Sequence, residues 1–342
     1  VKISGVGWIN KLMPAAVIGP TVAIIGLSLA GNAIGDLQKG SYAVNGEPTA
    51  SVYVAIICGL VTLFVTMFCS VFGKKMIKLI PFIIGILSGY AVAAIFTAIG
   101  IKTGNDALKV IDFSGFTALV ADGVGVKTFF AVPDFTFLKA FGAFGELSGS
   151  YIAAVAVAYV PVAFVVFAEH IADHKNISYI VETDLLVEPG LHRTLLGDGI
   201  GSMVGAVFGG APNTTYGESI ACVAISGNAS VATIVCTAVL AIIIAFLSPF
   251  ATFLASIPSC VMGGVCISLY GFIAVSGLKM IQKVDLEDNK NLFVVSVILI
   301  AGIGGLTVSF GKVTITSIAC ALILGILTNV VLGNREKNKK AE

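Results

Sequence analysis

The sequence predicts an all-α polytopic membrane protein built as an inverted repeat, with about ten membrane segments of which one is broken. Three observations lead there. Of 342 residues 57% are apolar and 11% charged, with a mean hydropathy of +1.02, whereas a soluble domain carries about 25% charged residues. Nine apolar runs are separated by short charged connections. Two short motifs also recur at nearly one offset.

The runs lie at 14–34, 51–72, 79–101, 151–172, 192–209, 231–255, 258–280, 291–309 and 313–332, and a helix needs about 20 residues to cross a bilayer. Between the fifth and sixth stands "GGAPNTTYGESIACVAISG", 209–227. Its glycines and Pro212 break any helix, and such backbone survives at membrane depth only where protein or a water-filled cavity satisfies it. It is read as a broken tenth crossing, with the break, or a short strand, near 211–219. If it crosses, 14 of the 20 Lys and Arg residues fall on one side of the membrane; if it does not, the split is 8 against 12. The positive-inside rule therefore favours the crossing and a cytoplasmic C-terminus. The loop at 102–150 contains "KTFFAVPDFTFLKAFG", whose aromatics suit a belt at the membrane surface or an interfacial hairpin or lid.

The repeat pairs "PAAVIG" at 14–19 with "PSCVMG" at 258–263, and "IIGILS" at 83–88 with "ILGILT" at 323–328. Each pair is seven crossings apart, an odd number, so the copies have opposite orientation. Inverted repeats mark secondary transporters, whose sites lie near mid-membrane on discontinuous helices. The second copy, from about residue 94 to 333, is complete, and the first is represented by its last three segments. Roughly four crossings, on the order of 100 residues, are therefore expected ahead of Val1, which is not a Met.

Composition also excludes classes. A net charge of +1 without a basic patch argues against nucleic acid. The seven cysteines fall inside apolar runs without a CxxC pair and read as reduced packing residues. No GxSxG-type nucleophile constellation appears, so an enzyme is not expected. Nothing calls for a cofactor or a metal, although His170 and His174 have the spacing of a helical metal pair.

Two carboxylates stand out. Glu169 interrupts "VVFAEHIADHKN" after 17 apolar residues and shares a helix face with Asp173, four residues on. It reads either as a solvated helix end or as an intramembrane functional group. Glu218 follows Gly217 and opens a short apolar stretch, so it reads either as a first-turn acid that stabilises the helix dipole or as part of a half-helix start whose free N–H groups would face a polar ligand. Two such carboxylates suit a substrate bearing N–H donors, and a protonatable carboxyl at depth can couple uptake to protons. Asp173 or a neighbouring histidine could relay that proton.

"AEHIADH" followed by "DLLVEPGLHRTLLGDGIGSMVGAVFGGAPNTTYGESI" resembles the nucleobase–cation symporter-2 (nucleobase/ascorbate transporter) family, and within it the bacterial uracil permeases. The likeness extends from "GVGWINKLMPAAVIG" to the last segment. It implies a fold of seven plus seven inverted segments with core and gate domains, and proton-coupled uracil uptake by an elevator-like motion. The implied divisions are gate helices at 1–101, an extracytoplasmic loop at 102–150, core helices at 151–255, gate helices at 256–333 and a cytoplasmic tail at 334–342. Glu169, Gly217 and Glu218 would bind the base and Tyr216 would shape the pocket. Asp173, His174 and Glu169 are the implied candidates for proton coupling. The implied location is the bacterial cytoplasmic membrane, and the family suggests a homodimer. The family signature places Asn, Gly and Thr–Arg after the tenth-segment acid, where this chain has Ser219, Ala221, Ser226 and Gly227. Glu218 favours uracil over xanthine or urate. The alternatives are a purine permease of the same family, an anion transporter or channel of the same architecture, and an inactive gene fragment.

Overall fold

The computed structural model describes residues 11–121, 123–131, 148–211, 213–217, 219–220, 227–310 and 313–339, with isolated positions 138, 142, 145 and 223. In chain order the elements are α1 (Ala15–Ser28), α2 (Ala30–Leu37), β1 (Ala43–Val44), β2 (Glu47–Pro48), α3 (Val52–Phe72), α4 (Met76–Leu79), α5 (Pro81–Thr103), α6 (Ser114–Val120) and α7 (Val126–Phe129). They continue with α8 (Gly149–Val181), α9 (Leu191–Val207), α10 (Val231–Ala245), α11 (Ser248–Ala255), α12 (Ser259–Ile281), α13 (Asn289–Ile303), β3 (Val308–Phe310), β4 (Val313–Ile315) and α14 (Ser317–Lys339). Four helical stretches, Ala15–Leu37, Val52–Phe72, Pro81–Thr103 and Ser259–Ile281, are long and apolar enough to cross a membrane.

Two compact units emerge, one from 1–28, 134–220 and 270–342, the other from 29–133 and 221–269. In the first, α1 is apolar on every side and mostly buried, as expected of a helix surrounded by others. Val17 and Ile24 of α1 pack with Val294 and Ile298 of α13 and Leu322 of α14 in one core. Gly277 of α12 lies against the Ala23 backbone, where a Cβ would collide. Small residues let helix backbones approach closely where lipid gives no hydrophobic drive to associate. Asn329 of α14 donates from Nδ2 to the Lys11 carbonyl at 3.0 Å.

In the second unit α3 and α5 lie side by side through Gly85 and Gly89, which rest on Thr66 and Thr62. Those buried hydroxyls donate back to their own helix, Thr62 to the Cys58 carbonyl at 3.1 Å and Thr66 to the Thr62 carbonyl at 2.8 Å. Thr97 fastens the chain after α5: its Oγ1 donates to the Ala93 carbonyl at 2.8 Å and accepts from the N–H of Val110 at 3.0 Å and of Ile111 at 3.1 Å.

Several elements differ from the sequence expectation. The run at 231–255 is not one helix, because it breaks between Ala245 and Ser248, where Phe130 and Leu247 form an antiparallel bridge. The runs at 291–309 and 313–332 each give up an end to a hairpin, with Val308 opposite Ile315. Gly305, at φ +72°, ends the helical path, and the β-branched residues beyond it favour strand. A second small hairpin, β1–β2, turns on Asn45 and Gly46, both at positive φ, as a two-residue hairpin loop requires. In the aromatic loop, α7 is a single turn, while residues 132–137 and 139–141 lie outside the described residues.

Candidate functional site

The candidate site is built from α8, α9 and the chain that follows α9. Helix α8 runs 33 residues without a break through Glu169, His170, Asp173 and His174. Helix α9 ends in a Schellman motif: Gly209, at φ +84°, sends its N–H to the Ala206 carbonyl and Gly210 sends its own to the Gly205 carbonyl, each at 3.0 Å. The chain then carries no helix at 211 or 213–216 and becomes helical at Gly217. The break therefore falls where the glycines and Pro212 predict it. No strand forms among the described residues of 211–217.

Two carboxylates on two helices hold this broken segment by adjacent threonines. Thr215 donates from Oγ1 to Asp173 Oδ2 of α8 at 2.7 Å. Thr214 donates from Oγ1 to Asp198 Oδ2 of α9 at 3.1 Å. Ser202 of α9 adds a hydrogen bond from its hydroxyl to the Asn213 carbonyl. Gly217 lies so close that a Cβ there would sit 3.1 Å from Asp173 Oδ1. Tyr216 beside it is exposed, and its carbonyl accepts from the Ser219 hydroxyl at 2.7 Å.

Behind this contact His170 is buried, with Nδ1 3.0 Å from Asp198 Oδ2 and Nε2 3.0 Å from Thr194 Oγ1. The His174 ring stacks on it at 4.0 Å between centroids, and its Nδ1 donates to the His170 carbonyl at 2.9 Å. Both ring nitrogens of His170 and Nδ1 of His174 thus have partners within the protein. Glu169 is half-buried one turn before Asp173. Glu218 lies outside the described residues.

The arrangement brings Asp173, His174, Tyr216 and Gly217 to one region with the half-helix start. The family model described as "Permease family", Xan_ur_permease, matches residues 1–310. The chain belongs to this permease family.

Its relatives in the family include the uracil permease of Bacillus caldolyticus, 37% identical over 98% of this chain and 71% of that protein. The uracil permease of Bacillus subtilis (strain 168) is 36% identical over 97% of this chain and 71% of that protein. That of Escherichia coli (strain K12) is 36% identical over 95% and 68% respectively. A permease with four long apolar helices is an integral membrane protein.

Sequence reading missed Asp198, Thr194 and the separate duties of Thr214 and Thr215. Asp198 carried a signal, being the one carboxylate inside the apolar run at 192–209, and a carboxylate at that depth is a functional candidate by default. Nothing in the one-dimensional pattern pairs Thr214 with α9 and Thr215 with α8.

Proposed function

We propose that this chain is a proton-coupled secondary transporter that imports uracil or a closely related nucleobase across the bacterial cytoplasmic membrane. The observation that carries the reading is the broken segment docked through Thr214 and Thr215 onto Asp198 and Asp173, so that a helix start at Gly217 opens beside the Asp173 carboxylate of α8. A pyrimidine offers N–H donors and carbonyl acceptors on one edge. Glu169 and Glu218 supply acceptors for the former, the N–H of Gly217 a donor for the latter, and Tyr216 flanks the ring. Relatives named uracil permeases support that substrate.

Coupling follows from the same groups. A proton on Glu169 or Asp173, or on His174, changes which of them can accept from the base, so base and proton influence each other's binding by the same free energy. In the whole transporter, seven segments repeat in inverted orientation, gate helices lie at 1–101 and 256–333, core helices at 151–255, and the core carries the site past the gate in an elevator-like motion. The two segments matched in the repeat, at Pro14 and Pro258, open alike. Val17 and Ile18 send their N–H groups to the Pro14 carbonyl at 2.8 and 3.0 Å, and Val261 and Met262 send theirs to the Pro258 carbonyl at 3.0 and 3.2 Å. The C-terminus is cytoplasmic and the working form a homodimer.

Uptake of radiolabelled uracil by cells lacking their own permease tests the reading. Transport that needs both Glu169 and Glu218 and collapses when the proton gradient is dissipated supports it. Uptake indifferent to the gradient refutes the coupling.

A further inference from the structure

His170 is 1% exposed, and among the described residues no other Asp, Glu, Lys, Arg or His is buried. Its ring nitrogens face groups of different kinds. Nδ1 meets the Asp198 carboxylate at 3.0 Å, and Nε2 meets the Thr194 hydroxyl at 3.0 Å. Thr194 Oγ1 is also 3.1 Å from the Leu191 carbonyl, to which it can donate. One hydroxyl proton therefore has two acceptors within reach.

Two hydrogen patterns satisfy the cluster. In one, Nδ1–H donates to Asp198, Nε2 is bare, and the Thr194 hydroxyl donates to Nε2. In the other, Nε2 carries a proton and donates to Thr194 Oγ1, while the Thr194 hydroxyl turns to the Leu191 carbonyl; Nδ1–H still donates to Asp198. The second pattern holds one proton more. No heavy atom moves between them and neither strands a buried polar group, whose loss of a partner costs about 1–3 kcal/mol. The imidazolium is then paired with a carboxylate, as a buried charge must be.

We propose that His170, Asp198 and Thr194 form a proton-binding site in which the proton enters at Nε2 of His170 and the Thr194 hydroxyl reverses from donor to acceptor. The titratable groups that face the His170 ring are His174, stacked on it, and Asp198. Asp173 lies three residues along α8. Helix α9 also carries His192 and Arg193, and the turn Leu186–Gly190 carries Glu188. Helix α1 and β4, packed on α8, carry no charged residue, and α14 has none before Arg335.

The site reaches the substrate region through Asp198. Its Oδ2 accepts from both His170 and Thr214, so an imidazolium draws on the carboxylate that otherwise holds the broken segment. Protonation of His170 thereby loosens Thr214, three residues before Gly217. This link to transport rests on the proton-coupled reading above; the proton site itself does not.

NMR of the purified full chain with nitrogen-labelled histidine rings tests it. The chain has three histidines, and the spectrum of His170→Asn identifies the signal. Lowering the pH through histidine's titration range, about pH 8 to 5, is expected to move the Nε2 signal of His170 from bare to protonated. Asp198→Asn, which removes the compensating charge, is expected to leave it bare over that range, and Thr194→Ser, which keeps the hydroxyl, to follow the wild type. The proposal is overturned if Nε2 keeps one state throughout, or if Asp198→Asn titrates as the wild type does. Should Asp198→Asn fail to fold, the wild-type and Thr194→Ser titrations decide the matter alone. A titrating His170 in a protein whose uptake ignores the proton gradient would keep the site and refute only its coupling role.

Discussion

Thr215 and Asp173, 42 residues apart in the chain, are joined by a 2.7 Å hydrogen bond from hydroxyl to carboxylate. The contact gives Asp173 a structural duty beside its candidacy in proton coupling, since the same carboxylate that would take up a proton fixes the broken segment to α8. Loss of that proton acceptor and loss of the anchor are separable by substitution at the other partner.

Thr215→Val removes the donor and leaves a half-buried carboxylate short of a partner, at a cost of about 1–3 kcal/mol. Because about 1.4 kcal/mol is tenfold in an equilibrium constant, the KM for uracil should rise by about tenfold. Thr215→Ser should stay near the wild type. Initial uptake rates across a range of uracil concentrations check both.

Gly217→Ala places a methyl group 3.1 Å from Asp173 Oδ1, so the carboxylate or the segment must give way by a few tenths of an ångström. The expected result is weaker uracil uptake at an unchanged amount of folded protein in the membrane. Gly217→Val, bulkier and β-branched, should abolish uptake. Uptake assays normalised to membrane levels distinguish a site defect from a folding defect.

Thr97→Val strips the acceptor from two buried N–H groups, those of Val110 and Ile111. At about 1–3 kcal/mol for each orphaned group, the chain should unfold at a clearly lower temperature in detergent. Thr97→Ser keeps the oxygen and should recover most of the difference. The thermal unfolding midpoint is the readout.

Gly89→Leu drives a side chain into Thr62 of the neighbouring helix. Overpacking typically costs about 1–3 kcal/mol, and here it also pries apart the α3–α5 contact. Yield and monodispersity on size exclusion should fall, while Gly31→Ala, where a Cβ meets nothing within 4 Å, should be neutral.

How far the sequence disclosed this molecule varies by element. The runs at 51–72 and 79–101 became α3 and α5 almost to the residue, because nothing inside them competes with an apolar helix. The break near Gly217 was legible for the opposite reason: closely spaced glycines and Pro212 forbid a continuous helix. The β3–β4 hairpin was hidden because its residues are as apolar as a membrane helix. Their β-branching, and Gly302, Gly304 and Gly305 before them, were the available signal. The β1–β2 turn has its signal in Asn45–Gly46, the pair that a two-residue hairpin loop favours. In the site, Glu169 and Asp173 shared a face by spacing alone. The His170–Asp198–Thr214 chain instead joins three separate stretches, and only the folded chain brings them together.

The central claim, a uracil transporter working through Glu169 and Glu218, is tested most directly by radiolabelled uracil uptake in permease-deficient cells. Wild type, Glu169→Gln and Glu218→Ala should be compared at equal membrane levels, with and without a protonophore. The account predicts accumulation by the wild type that the protonophore abolishes, and loss of uptake in both variants. Uptake unchanged by Glu218→Ala, or a wild type present in the membrane that takes up no uracil, would contradict it.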